Sequence, residues 1–224
     1  MYFKSRAEAG QLLAKELAKT YRKRPCAVVC LSDGAVMVGA QIAMELHCVL
    51  MMLLTDSIQL PREETALAGL GQDGTLTYNS YYSPGEIEDF VAEYHSVIEE
   101  LRLQKIHELH QLVGHGGLIR KDLLRDHTVI VVSDGLSSGF SLDIAAAFFK
   151  TVRIRRLVVA VPFASVPAVD RMHILADQIY CLNVITDYIS TDHYYDENDI
   201  PPHDAVIKTI EQIVGHWSRS GEVK

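Results

Sequence analysis

The distribution of apolar and polar residues along the chain predicts a series of short buried strands. Apolar runs occupy residues 26–31, 48–54, 129–132, 157–161 and 178–182, and turn-forming or polar residues bound each run. Continuous apolar runs of this length are typical of strands that are covered on both faces of a sheet. We therefore predict five strands that form the centre of the fold.

Segments with helical spacing separate these runs. The stretch before the first strand repeats Ala and Leu at helical intervals, and further helices are predicted at residues 35–46, 141–150, 167–175 and 204–217. Strand, helix and strand follow one another from residue 26, which makes a βαβ unit with parallel strands and a right-handed crossover. The predicted class is α/β, with helices on both faces of a mainly parallel sheet.

The middle of the chain departs from this alternation. Residues 56–64 are polar, contain a proline and show no periodicity, so they are predicted to form a mobile loop. Residues 65–70 and 75–79 flank GQDG and could pair as a β-hairpin. A long helix is predicted over residues 84–113, because SPGE supplies a serine N-cap, proline at N1 and glutamate at N3.

Composition narrows the classes of protein that need consideration. The chain has 224 residues, of which 48% are hydrophobic and 22% charged, as expected for one globular domain over residues 1–224. No apolar run approaches the roughly 20 residues of a membrane span. The first segment is amphipathic and lacks the apolar core of a secretory signal, so it is predicted to be a helix of the mature protein.

Charge and cysteine usage predict a cytoplasmic protein that does not bind nucleic acid broadly. The net charge of −8 argues against broad binding of nucleic acid, which relies on Lys and Arg to neutralise phosphates. The four cysteines form no CxxC pair, and three of them lie in apolar runs. Buried thiols in a reducing compartment are therefore favoured over a disulfide framework or a zinc site.

The strongest candidate site is the sequence VIVVSDGLSSG at residues 129–139, which precedes a predicted helix. Ligands of open α/β sheets bind beyond the carboxyl ends of the strands, and the turn here contains glycines and hydroxyls. Backbone N–H groups and the helix dipole would then form an anion site. The alternative that Ser and Gly merely form a turn and an N-cap stays open. A second loop, LSDG at residues 31–34, follows the first strand.

Three other patterns are weaker. GLGQDG at residues 69–74 matches GxGxxG, but a strand rather than a helix is predicted after it, which argues against dinucleotide binding. HELH at residues 107–110 lacks the histidine spacing of a zinc protease, and surface histidines are favoured. A polar cluster near the C-terminus could bind a metal or form a solvated loop. It contains Asp192, His193, Asp196, Glu197, Asp199 and His203.

The stretch VIVVSDGLSSGFSLDIAAAFFK resembles the ribose-phosphate-binding motif of type I phosphoribosyltransferases. The resemblance covers nearly the whole chain and extends to a bacterial group of predicted phosphoribosyltransferases. Segments similar to that group are SRAEAGQLLAKEL, LSDGAVMVGAQIA, LPREETALAGL, LVVAVPFASVP and HYYDENDIPPHDAV. The resemblance implies a type I phosphoribosyltransferase-like fold with a small hood, expected from residues 1–20 and 187–204.

The same resemblance implies the chemistry of the site. In such enzymes two adjacent carboxylates bind the ribose hydroxyls of phosphoribosyl pyrophosphate, the next loop binds the 5′-phosphate, and Mg²⁺ chelates the diol and the pyrophosphate. Asp134 matches the second carboxylate and takes the catalytic role. The phosphate-binding residues implied are Gly135, Leu136, Ser137, Ser138, Gly139 and Ser141. The pyrophosphate loop would comprise Ser32, Asp33 and Gly34.

Several positions depart from the family pattern. Ser133 replaces the first carboxylate. Ser32 and Asp33 lie where the group commonly has Pro-Arg, and Thr55–Asp56 replaces an Arg-Lys pair. Reversing a charge about 5 Å from a ligand charge costs roughly 3–6 kcal/mol at an effective dielectric constant of about 20. These changes are expected to weaken affinity for a polyanion, and Arg62 is the nearest spare cation.

Three functions stay open at this point. The first is a phosphoribosyltransferase-family protein with an altered site that binds a 5-phosphoribosyl or nucleotide phosphate ligand and still transfers the phosphoribosyl group through Asp134. The second is a catalytically inactive relative that senses such a ligand or serves as a protein-interaction module. The third is a metal-dependent activity in which Asp33, Asp56 and Asp134 converge on Mg²⁺.

The expected partners follow from the same resemblance. A small-molecule phosphate, either phosphoribosyl pyrophosphate or a nucleotide, is the expected ligand, with no nucleic acid and no membrane, and a homodimer is implied. Three tyrosines in the C-terminal loop could stack on a base or pack the loop down, and packing is favoured. They are Tyr188, Tyr194 and Tyr195.

Overall fold

The computed structural model describes residues 2–113 and 119–220. In chain order the elements are α1 (Arg6–Tyr21), β1 (Cys26–Cys30), α2 (Asp33–Leu46), β2 (Val49–Met52), β3 (Thr55–Ile58), β4 (Ala68–Gly71), β5 (Leu76–Tyr78), α3 (Pro84–Val113), α4 (Lys121–Leu124), β6 (Thr128–Val132), α5 (Phe140–Phe149), β7 (Arg156–Ser165), α6 (Val166–Leu175), β8 (Gln178–Ile185) and α7 (His203–Ser220). A short 3-10 turn at Asp192–Tyr194 precedes α7.

The five apolar runs form one parallel sheet with the strand order β2-β1-β6-β7-β8. The register places Val28 opposite Leu50 on one side and opposite Ile130 on the other. All residues of β1 and β6 are buried, as the continuous apolar runs predicted. The α/β class and the mainly parallel sheet are therefore confirmed.

Helices cover both faces of this sheet, because successive side chains of a strand point to opposite faces. Ile130 and Val132 pack in the core on the side of α1, α2 and α7. Val129 and Val131 pack in the core on the side of α4, α5 and α6. Each predicted helix of the α/β layer is present, although the boundaries differ by a few residues.

A separate antiparallel sheet has the order β3-β4-β5. Its β4–β5 pair is the predicted hairpin, with Leu70 opposite Leu76. The prediction of a mobile loop over residues 56–64 was wrong in its first part, because β3 pairs with β4 through Thr55–Ile58. Pairing with a neighbouring strand and burial of Ile58 outweigh the polar pattern of this segment.

The long helix α3 is confirmed over the predicted range. The N–H of Ser83 donates to Glu86 Oε2 at 2.8 Å, and the N–H of Glu86 donates to Ser83 Oγ at 3.3 Å, which is a capping box. The backbone leaves helical geometry at Tyr94, with φ −110° and ψ 20°.

None of the described helices combines the length and apolarity needed to cross a bilayer. The four cysteines are free thiols, and three of them are buried.

Replacing Leu50 with Ala is expected to lower the free energy of unfolding by about 2–5 kcal/mol, because a fully buried side chain of β2 would leave a cavity. The matched control is the same substitution at Leu103, which is 67% exposed on α3 and should change stability by no more than about 0.5 kcal/mol. Chemical denaturation measures both values. Equal effects at the two positions would contradict the assignment of β2 to the core.

Candidate functional site

The loops after β1 and β6 meet at the carboxyl ends of these neighbouring strands. The N–H of Leu31 donates to the carbonyl oxygen of Val132 at 3.1 Å. Ser32 Oγ donates to Asp134 Oδ1 at 3.0 Å and also accepts from the N–H of Ala35, so it caps α2 as well. The two loops that the sequence marked as candidate ligand loops therefore lie in direct contact.

Arg6, the first residue of α1, forms a buried ion pair with Asp134. Its Nε donates to Asp134 Oδ2 at 2.8 Å, and the two residues are 4% and 8% exposed. The same guanidinium reaches the C-terminal loop, where Nη2 donates to Asp192 at 2.6 Å and Nη1 donates to Asn198 at 3.2 Å. One side chain thus connects α1, the β6–α5 loop and the C-terminal loop.

Tyr195 completes the surroundings of this ion pair. Its hydroxyl donates to the backbone carbonyl of Asp134 at 2.6 Å, and its ring lies 4.5 Å from the Arg6 guanidinium carbon. Burial opposes the charge of Arg6, but hydrogen bonds to Asp134 and Asp192 outweigh it and raise the pKa of Arg6. Burial, together with the charge of Asp134, raises the pKa of Tyr195. Arg6 therefore stays charged and Tyr195 stays a hydroxyl donor.

The predicted phosphate loop runs from Gly135 to the start of α5 and is attached to β7. Gly135 is half-buried, and its carbonyl accepts from Ser133 Oγ at 2.9 Å. The N–H of buried Leu136 donates to the carbonyl of Phe163 at 3.2 Å, and the carbonyl of Leu136 accepts from the N–H of Ser165 at 2.9 Å. The backbone of Leu136 is therefore used by the fold and is not available to a ligand.

The tip of the loop is open. Ser137 and Ser138 are exposed, and Ser141 is half-buried in the first turn of α5. Gly139 is buried and is the N-cap of α5 with φ +77°, a conformation that favours glycine. The hydrogen bonds of the described residues do not use the N–H groups of Ser137, Ser138 or Gly139. Three adjacent backbone donors thus lie at a helix N-terminus.

The acids Asp33, Asp56 and Asp134 do not converge, contrary to the third hypothesis. Asp33 pairs with His203 Nδ1 at 2.8 Å, whereas Asp56 pairs with Lys105 Nζ at 3.1 Å. Hydrogen bonding to Asp56 raises the pKa of Lys105. Within residues 2–113 and 119–220, no group of three or more His, Cys, Asp or Glu side chains could hold a metal ion.

The family resemblance implies Mg²⁺, and the donors around Asp134 do not fit a resident ion. Its two carboxylate oxygens accept from Arg6 and Ser32, and its side chain is 11% exposed. Mg²⁺ in proteins keeps several waters and requires near-octahedral oxygen ligands. Room for such a hydrated ion is lacking on a carboxylate that is packed in this way.

Other predicted residues take structural positions. Tyr194 and Tyr195 are buried with Phe163 and Phe3, and the Tyr188 hydroxyl bonds to Thr191, so packing of the loop accounts for the tyrosines. The histidines of HELH are exposed on α3, and Arg62 is exposed on the loop after β3. The C-terminal acidic residues form no metal-binding group with any described residue.

Sequence reasoning missed Arg6, which is the central cation of the site. The sequence contains one usable signal, which is the position of Arg6 in the first turn of α1. A basic residue there interacts unfavourably with the helix dipole. Ser5 and Glu8 already complete the N-terminal cap of α1, so Arg6 has no local role there. Its unfavourable position could have marked Arg6 for attention, but it does not identify Asp134 as the partner.

Gly34 is expected to be intolerant of a side chain. A Cβ at this position would lie 2.2 Å from Asp134 Oδ2 and 2.9 Å from Arg6 Nε, so Gly34→Ala should lower the free energy of unfolding by about 1–3 kcal/mol. Gly85 is also the second residue of a helix, and a Cβ there meets nothing within 4 Å. Gly85→Ala should be neutral or stabilising by up to about 1 kcal/mol. Thermal unfolding compares the pair, and equal stability of both variants would contradict the close packing at Gly34.

Comparisons with known proteins find similarity over almost the whole chain. The Mycobacterium tuberculosis (strain ATCC 25618 / H37Rv) protein named "Putative phosphoribosyl transferase Rv0571c" is 23% identical over 222 residues, which are 99% of this chain and 49% of that protein. The chain therefore spans about half the length of the curated relatives that it matches. The crystal structure of TT1426 from Thermus thermophilus superposes with a TM-score of 0.69 at 26% identity, covering 95% of this chain and 99% of that one.

The family assignment rests on a match over most of the chain. A family model described as "Phosphoribosyl transferase domain" matches residues 4–199. This range includes Arg6, both strand-end loops and the C-terminal loop that carries Asp192 and Asn198. The chain belongs to the phosphoribosyltransferase family.

Proposed function

We propose that this chain binds the phosphate monoester of a pentose phosphate or nucleotide and does not displace pyrophosphate from it. The observation that carries the proposal is the tip of the β6–α5 loop, where the N–H groups of Ser137, Ser138 and Gly139 have no acceptor among the described residues. A 5-phosphoribosyl group or a nucleoside monophosphate has the ligand chemistry that suits these donors.

The charges around the loop support a phosphate dianion. The N-terminus of α5 contributes a partial positive charge of about half a unit, and backbone N–H groups there bind anions. Asp143 lies in the first turn of α5, where a free carboxylate would repel a phosphate. It is buried and accepts from Arg171 Nε at 2.6 Å, so its charge is neutralised within the protein.

The opposite side of the site supports a ligand with a single phosphate. Asp33 lies where the family resemblance implies a pyrophosphate contact, and it pairs with His203. The Arg6 cluster contains two carboxylates, Asp134 and Asp192, for one guanidinium, which makes it net negative. A second phosphate group beside these acids would be repelled rather than bound.

The ion pair at Asp134 supports binding without turnover. Transfer of a phosphoribosyl group requires stabilisation of charge that develops on the ribose and on the leaving pyrophosphate. The carboxylate of Asp134 already accepts from Arg6 and Ser32 and is largely shielded from solvent. The function that this arrangement suits best is ligand sensing by a catalytically inactive phosphoribosyltransferase-like site.

Calorimetry with ribose 5-phosphate, AMP and phosphoribosyl pyrophosphate tests the binding proposal. The two monophosphates should bind, and phosphoribosyl pyrophosphate should bind no more tightly than ribose 5-phosphate. Ser138→Asp places a negative charge at the exposed tip of the loop and should weaken ribose 5-phosphate binding by about 100-fold or more. Ser96→Asp, on the exposed face of α3, is the matched control and should leave affinity within about twofold. Equal affinity of both variants would contradict binding at the loop.

A second assay separates sensing from transfer. Phosphoribosyl pyrophosphate is incubated with the protein and a panel of purine, pyrimidine and amine acceptors, and released pyrophosphate is measured. The proposal predicts no release above the rate without protein. Release that disappears in Asp134→Asn would restore phosphoribosyl transfer as the function.

A further inference from the structure

We infer that the guanidinium of Arg6 is the cation of Asp134, so that this carboxylate holds no Mg²⁺ and binding of a phosphate monoester by this chain is independent of the ion. The inference rests on the proposed function for the identity of the ligand class. It deepens that function by assigning the positive charge beside Asp134 to the protein itself rather than to a metal ion.

The first step is the saturation of Asp134 by protein donors. Oδ1 accepts from Ser32 Oγ, Oδ2 accepts from Arg6 Nε, and the backbone carbonyl accepts from the Tyr195 hydroxyl. Each of these donors belongs to a different element or loop. A metal ion could coordinate this carboxylate only after it had displaced at least one of them.

The second step is the lack of space beside the carboxylate. Gly34 approaches Asp134 so closely that a single added carbon would lie 2.2 Å from Oδ2 and 2.9 Å from Arg6 Nε. Mg²⁺ binds its oxygen ligands at about 2.0–2.1 Å and retains several coordinated waters. The volume that such an ion and its waters need is filled by the Arg6 side chain and by the backbone of α2.

The third step is the way in which Arg6 is held. Its side chain is 4% exposed, and Asp134, Asp192 and Asn198 accept from three of its nitrogen atoms. The planar guanidinium also lies over the ring of Tyr195, which suits arginine better than lysine. These contacts hold the Arg6 guanidinium in place, so dissolved cations do not readily displace it from Asp134.

The remaining acids offer no alternative position for the ion. Asp192 is exposed and pairs with Arg6, whereas Asp33 pairs with His203. Among the described residues, no three or more His, Cys, Asp or Glu side chains form a group that could hold a metal ion. Removal of the Arg6 charge is thus the change that should uncover a carboxylate with affinity for Mg²⁺.

The test follows the melting temperature of the intact chain in Mg²⁺ and in a chelator at equal ionic strength, without any organic ligand. Wild-type protein and Arg6→Lys, which keeps the positive charge, should show no shift. Arg6→Ala should gain a Mg²⁺-dependent rise in melting temperature, because it leaves Asp134 buried without a cation and clears the space that the Arg6 side chain fills. The matched control is Arg153→Ala, which removes an exposed arginine that pairs with Asp126 at 3.1 Å and should gain nothing.

A second measurement decides the inference if Arg6→Ala does not fold. Ribose 5-phosphate affinity of the wild-type chain should agree within about twofold between Mg²⁺ and chelator, and an increase of about tenfold or more in Mg²⁺ would overturn the inference. Stabilisation of the wild-type chain by Mg²⁺ alone would also overturn it, as would a folded Arg6→Ala whose melting temperature does not change with Mg²⁺. Failure to bind ribose 5-phosphate under both conditions would refute the proposed function, while the melting temperatures would still decide the role of Arg6.

Discussion

The buried ion pair between Arg6 and Asp134 constrains every other part of the site. It joins the first helix to the loop after the central strand, and through Asp192 and Asn198 it holds the C-terminal loop over both. Removing one partner of such a pair typically costs about 3–5 kcal/mol, because the other charge stays buried without compensation. These segments therefore depend on one another, although up to 192 residues of sequence separate their contacts.

This constraint divides the site into two halves with different chemistry. At the tip of the β6–α5 loop, backbone donors and two exposed serines remain available at the start of a helix. Around Asp134, the polar atoms are already paired within the protein. Free backbone donors on one side of the site and internally paired polar atoms on the other are consistent with recognition of one phosphate group. The site does not provide the cations that a leaving pyrophosphate needs.

The sequence predicted those features that depend on local patterns. Continuous apolar runs located the parallel strands, a Ser-Pro-x-Glu signal located the start of α3, and glycine and serine spacing located the loop between β6 and α5. Features that depend on distant partners were not predictable in the same way. Thr55–Ile58 becomes a strand only because β4 lies beside it, and Arg6 becomes a site residue only because folding places it against Asp134. A single sequence shows neither pairing.

A crystal structure of the protein with ribose 5-phosphate in the presence of Mg²⁺ tests the central claim most directly. The account predicts phosphate oxygens within hydrogen-bond distance of the N–H groups of Ser137, Ser138 and Gly139. It also predicts an intact contact between Arg6 and Asp134 with no metal ion on the carboxylate. A phosphate bound elsewhere, or Mg²⁺ coordinated by Asp134 with Arg6 displaced, would contradict it.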